Sequence, residues 1–210
     1  LPSSSLRRTL SCAAAALFIA LLALAPTASA QSQTPANRPW MNKSLSPDQR
    51  ADLVIKQMTI DEKMNFVHGT GWNGLREKAV VPKGSLGNAG YMEGVARLGI
   101  PGINMADSAV GVRLAAQGSH YATLLPSVLG AANRWDKKAL FLYGDLIGRE
   151  LRDMGYNMSI GGGVYLAREP RNGRNFEYFG EDPILAGTMV GELARGVQSN
   201  QVTGDIKHYA

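Results

Sequence analysis

The stretch "DKKALFLYGDLIGRELRDMGYNMSIGGGVYL", residues 136–166, joins two patterns, and the join decides the fold. Residues 136–155 read as an amphipathic helix, with Asp136 near its start and Gly155 at its end. An acid and a glycine suit those two positions, where orphaned backbone groups need a cap and the chain needs a left-handed exit. Residues 156–166 then read as a strand. Working outward, "GIPGINMAD" (99–107) is a short, mostly apolar strand that ends in an acid. On the other side, "EDPILAGTMVGELARGVQSN" (181–200) is a helix with Pro183 in its first turn, and "VTGDIKHYA" (202–210) is a further strand. Strands alternating with long helices argue for a parallel sheet built by right-handed crossovers. In such sheets the chemistry sits on loops at the C-terminal ends of the strands. Asp107, the charged run after residue 168, and Lys207 with His208 all fall there.

The segment before this rhythm is organised differently. Residues 44–69 carry helix punctuation: Ser46 can cap, Pro47 suits a first turn, and Leu53, Val54 and Met58 form an apolar stripe. Thr59 and Glu62 have the spacing of a capping box that starts a second helix, which Gly69 ends. Residues 70–96 are Gly-rich without clear periodicity and read as a long loop, while the polar, Pro-containing residues 31–43 read as a linker. Residues 1–30 have the order of a cleaved signal peptide. Arg7 and Arg8 form the positive end, 13–25 the apolar run, and "ASA" (28–30) the cleavage pattern. The apolar run is short for a bilayer span, so the expectation is an exported, periplasmic or secreted protein without a stable membrane anchor.

The sole cysteine, Cys12, lies inside that signal, so the remainder has no disulfide, Cys-based metal site or thiol nucleophile. The chain after residue 30 is long enough for one domain with its own core. The net charge of +5 is modest. No basic block with interleaved aromatics occurs, which argues against nucleic acid as a partner. Neither a metal nor a cofactor is expected.

"REPRNGRNFEYFGEDP" (168–183) concentrates charge beside aromatic surface: Arg168, Arg171 and Arg174 face Glu169, Glu177, Glu181 and Asp182. Solvated loop pairs of this kind contribute at most about 1 kcal/mol. Phe176, Tyr178 and Phe179 give the stretch a second property, because rings in a loop favour folding down and packing. The expectation is a packed loop whose charges are partly buried and fixed by mutual hydrogen bonds. The run "GGG" (161–163) lacks Walker and dinucleotide spacing and reads as backbone room at a strand end.

"GRNFEYFGEDP" (173–183), preceded by "VYLAREP" (164–170) and followed by "KHYA" (207–210), resembles glycoside hydrolase family 3. That family comprises β-glucosidases and their relatives. The resemblance runs from about Leu45 to Ala210. It implies an α/β fold that is the incomplete N-terminal portion of a (β/α)8 TIM-type barrel, over residues 44–210. It also implies a sugar-binding pocket made by Asp107, Arg113, Arg174, Lys207 and His208. A carboxylate with several cationic donors suits sugar hydroxyls, which both donate and accept. Lys207 and His208 are adjacent in a strand and would point to opposite faces unless the strand end twists. Glu177 and Asp182 are read as scaffolding of the loop and helix start. One departure is Asp107-Ser108-Ala109, where the family commonly has Asp-Gly-Pro.

The implied activity is that of an exo-acting retaining glycosidase. It would release terminal non-reducing β-D-glucosyl residues from β-linked oligosaccharides or aryl and alkyl β-glucosides. Retention needs a nucleophile and an acid/base about 5 Å apart, and the resemblance places both downstream of Ala210. This chain is therefore expected to bind sugar without catalysing. A β-xylosidase, another exo-glucan hydrolase of the same family, and a non-catalytic carbohydrate-binding protein remain open alternatives.

Overall fold

The computed structural model describes residues 38–68, 82–113 and 121–208. The signal-peptide reading of 1–30 and the glycine stop at Gly69 lie outside them. The chain divides into two compact units, Leu1–Arg50 and Ala51–Ala210. In the first, residues 39–41, at the end of the expected linker, form a 3-10 turn with Trp40 buried. Arg50 Nε donates to the Trp40 carbonyl at 2.6 Å. Helix α1 (Pro47–Ile55) begins as expected, with Ser46 and Gln49 bonded reciprocally across its first turn. Met58 lies beyond the helix end, so the expected apolar stripe is shorter than the sequence suggests.

The second unit begins within α1 and continues into α2 (Ile60–His68), capped by the anticipated box: Glu62 N donates to Thr59 Oγ1 at 3.2 Å, and Thr59 N to Glu62 Oε2 at 2.8 Å. Its sheet has four strands in spatial order β1 (Gly90–Met92), β2 (Ile103–Asp107), β3 (Met158–Gly163) and β4 (Thr203–Lys207). β2, β3 and β4 run parallel, as the alternation requires. β1 corrects the reading of 70–96 as loop: it pairs antiparallel to β2, Gly90 opposite Met105 and Met92 opposite Ile103. A three-residue strand is too short to show a period. Gly90 is seated close against the Met105 side chain, while Tyr91 is buried.

The crossovers carry the core. Helix α3 (Val128–Ala132), not anticipated, is capped by Ser127 accepting from Gly130 N at 3.1 Å. Helices α4 (Lys137–Asp153) and α5 (Pro183–Gln198) start at Asp136 and Asp182. Those acids accept from Ala139 N at 3.1 Å and Leu185 N at 2.7 Å. Leu140, Ile147 and Leu151 of α4, Val197 of α5, Phe179 and Ala106 of β2 are almost wholly withdrawn from water and form one cluster. α4 and α5 meet backbone to backbone. A Cβ at Gly144 would stand 2.0 Å from the Leu193 carbonyl oxygen, and one at Gly196 would stand 2.1 Å from that of Phe141. Close approach of this kind is available only to glycine.

Candidate functional site

Parallel pairing places the C-terminal ends of β2, β3 and β4 along one rim. Asp107 is the last residue of β2 and Lys207 the last of β4. They are separated by β3, hence by two strand spacings, about 10 Å. The long lysine stem closes that gap: Nζ donates to Asp107 Oδ1 at 3.0 Å. The β3 residue opposite Asp107 is Ile160, and a register shift follows before Gly163 stands opposite Lys207. Arg113 returns to the same acid from the loop after β2. Its backbone N–H donates to the Asp107 carbonyl at 2.7 Å, and its guanidinium reaches Asp107 Oδ2 at 3.9 Å.

The strand end is fixed from behind. Ser108 is buried, and its hydroxyl lies 2.7 Å from that of Ser159 on β3. The residue that departs from the family pattern therefore ties β2 to β3 with a bond that a glycine could not make. Further along, the Tyr143 hydroxyl of α4 lies 3.0 Å from the Ala109 carbonyl and 2.8 Å from that of Pro126. It pins the loop after β2 to the helix layer, and burial holds its ionisation above the ordinary tyrosine range.

The 168–183 loop forms another wall. Tyr178 and Phe179 are buried, as rings in a packed loop should be. Tyr178 lies over the end of β3, where a Cβ on Gly163 would meet its ring at 2.7 Å. The glycine run thus supplies backbone room, as its sequence suggests. Phe176 corrects the expectation that all three rings pack: it is 47% exposed and lines the cleft. Arg174 donates from Nε to Glu177 Oε1, and this bond raises the arginine's already high pKa further.

Together these residues bound a cleft of about 230 Å³, lined among others by Asp107, Arg113, Arg174, Phe176, Glu177 and Lys207. That is somewhat smaller than pockets for drug-sized ligands, about 300–1,000 Å³. Four of the five sequence-expected site residues thus meet in one place. The fifth, His208, is exposed and lies outside that lining, stacked on Tyr165 with ring centroids 5.6 Å apart. Tyr165 in turn contacts Tyr178 at 5.3 Å. The peptide joining Lys207 to His208 is cis. Glu177 and Phe176 are among the lining residues that the sequence did not single out for the pocket. The one signal available for Glu177 was its spacing of three from Arg174. Among the described residues, no group of three or more His, Cys, Asp or Glu side chains is placed to hold a metal ion.

Fold and cleft define an α/β protein with a charged pocket at the C-terminal ends of its parallel strands. Residues 85–210 match the model of the glycosyl hydrolase family 3 N-terminal domain, and the chain belongs to that family. Its fold is accordingly α/β, the N-terminal part of a TIM-type barrel. Beta-glucosidase 1 of Aspergillus aculeatus is 37% identical over 175 residues, covering 81% of this chain and 19% of that protein. Among solved structures, beta-glucosidase 3B from Thermotoga neapolitana in complex with glucose superposes with a TM-score of 0.67 at 32% identity. That match covers 75% of this chain and 22% of the other. DesR, a beta-glucosidase from Streptomyces venezuelae in complex with D-glucose, gives 0.66 at 34% identity, covering 76% and 19%. The chain therefore spans about a fifth of the length of these relatives.

Proposed function

We propose that this chain forms the sugar-binding part of an exported, exo-acting β-glucosidase that works with retention. Residues 44–210 would be the N-terminal part of its barrel. The observation that carries the reading is Asp107, held between Lys207 and Arg113 at the strand ends, with Arg174 along the same cleft. An acid so placed accepts hydrogen bonds from sugar hydroxyls, and the cations around it donate to their oxygens. Each bond is charge-assisted, about twice the strength of a neutral one. Those to hydroxyls near the reacting carbon can tighten as the oxocarbenium-like transition state develops. His208, oriented by its stack on Tyr165, adds a donor beside Lys207. Both carboxylates of the cleft, Asp107 and Glu177, are engaged by cations. The reading gives them to recognition and leaves bond cleavage to a separate carboxylate pair. The glucose complexes of two structural relatives support a glucosyl ring as occupant.

The test uses the full-length protein with p-nitrophenyl β-D-glucoside and β-D-xyloside, and NMR of the first-formed sugar anomer. Hydrolysis of the glucoside with β-glucose appearing first is expected. Asp107→Asn should lower kcat/KM about 100-fold, the loss of one charge-assisted bond and the stranding of Lys207. No hydrolysis of either glycoside by the folded protein would sink the reading, and preference for the xyloside would replace the glucosyl specificity.

A further inference from the structure

Glu177 is the one buried charged residue among those described, at 6% exposure. A carboxylate withdrawn from water costs several kcal/mol unless it is paired. Its partner here is Arg174, and the contact is specific: Oε1 accepts from Nε. Arg174 stands at the start of the 3-10 turn Asn175–Glu177 and Glu177 is its last residue, and in such a turn side chains three apart eclipse one another. Arg174 remains half exposed, and both residues line the cleft. Binding at Nε uses one of the five guanidinium donors and leaves the two terminal amino groups as a planar fork. A fork of that shape matches two oxygens on neighbouring carbons.

We infer that Glu177 is a positioning residue, which holds Arg174 by Nε so that its two terminal amino groups meet two adjacent hydroxyls of the bound sugar. The inference rests on the proposed sugar-binding reading and adds to it the element that sets the direction of one donor pair. Without the carboxylate, the arginine side chain regains its rotamers, and solvent competes for the donors that the sugar should receive. Binding would persist through Asp107 and Lys207, but its preference for a vicinal pair would fade.

The experiment measures kcat/KM of the full-length protein on p-nitrophenyl β-D-glucoside and its 2-, 3-, 4- and 6-deoxy analogues. The same set is run for E177Q, E177A, R174A and the double variant E177A/R174A, each checked for folding by circular dichroism. In the wild type, removing either hydroxyl bound by Arg174 should cost about 10- to 100-fold, the range for bonds to a charged group. R174A should erase that cost at two adjacent positions. E177A should erase it at the same two, and E177Q, whose neutral oxygen still accepts from Nε, should reduce it partway. The double variant should be no worse than R174A, because Glu177 acts through Arg174. Wild-type deoxy penalties retained in a folded E177Q and E177A overturn the inference, as does a double variant whose losses simply add. If E177A melts, E177Q alone decides. A wild type that shows no penalty at any position fails the sugar-binding reading itself, an outcome distinct from the failure of Glu177 alone.

Discussion

The crossing of α4 and α5 and the rim of the sheet use opposite chemistry to bring chain segments together. At the crossing, Gly144 and Gly196 remove side chains so that each helix rests on the other's carbonyl oxygens. At the rim, Asp107 and Lys207 extend side chains across an intervening strand and meet through charge. The first contact is dry and tolerates no added atom. The second is 17% and 37% exposed at its two ends and so stays open to exchange with a ligand's hydroxyls. A region that must not move is built from shape, and a region that must trade partners is built from hydrogen bonds.

Two of the rim's ion pairs also differ from each other. Lys207 and Asp107 are brought together by sheet register over a hundred residues of chain. Arg174 and Glu177 are three apart in one turn. Any change that loosens the packing of α4 and α5 on the sheet should therefore disturb the first pair before the second.

The largest effect is expected at the crossing. Gly144→Ala gains about 1 kcal/mol of helix propensity. It also places a methyl 2.0 Å from the Leu193 oxygen, far inside contact distance, so the helices must part. Overpacking should win by about 3 kcal/mol net, read as a lower urea midpoint at unchanged slope. A midpoint equal to wild type would mean that the crossing can slide, and the contrast with the rim would lose its basis. Asp107→Asn is the mirror case, with its loss expected in kcat/KM and little change in the midpoint.

A smaller effect is expected where the two regions join. Asp182 closes the 168–183 loop and caps α5 by accepting from Leu185 N at 2.7 Å. Asp182→Ala should cost about 1 kcal/mol of stability, the usual value of such a cap. Turnover per folded molecule should stay close to wild type, because the Arg174–Glu177 pair is internal to its own turn. A drop in turnover larger than the drop in stability would show that the cap also sets the loop's working geometry.

Local chemistry and the order of the parallel strands were legible in the sequence, and the long-range meeting of side chains was not. The caps Asp136, Asp182, Ser46 and the Thr59–Glu62 box could be read because each is settled within three or four residues. The parallel order of β2, β3 and β4 could be read because long crossovers leave few alternatives. β1 escaped because three residues carry no period, and α3 because a five-residue helix scarcely does. At the site, four residues were named by resemblance, yet that resemblance could not say that Lys207 reaches Asp107 across β3. Nor could it say that Phe176 faces the cleft while Tyr178 and Phe179 turn inward. Those facts depend on which face of a loop the fold covers, a property of the assembled sheet and not of the segment.

The smallest expected effect lies outside both regions, at an ion pair that serves as a reference for surface charge. Glu62 binds the Arg97 guanidinium at 2.5 and 2.7 Å while accepting from Thr59 N. The Arg97 hydrogen bond and then the backbone bond from Thr59 hold its carboxyl down to about 2. The folded protein therefore keeps Glu62 ionised at pH values where the unfolded chain has begun to protonate it. Between the ordinary carboxylate range and about pH 2 the unfolded state binds more protons, so stability rises with pH across that window. The contribution is complete above the window and is lost as pH falls through it. Glu62→Gln should lower the urea midpoint slightly at neutral pH, and the difference from wild type should shrink on acidification towards pH 2. The pair is solvent-accessible, so salt should narrow the neutral difference as well. A difference that stays constant from neutral to acid would mean that the carboxylate's charge contributes nothing, leaving only the shape of the capping box. In that event the exposed pair would fall outside the contrast between shape and charge, and the rim pairs alone would carry the electrostatic side of it.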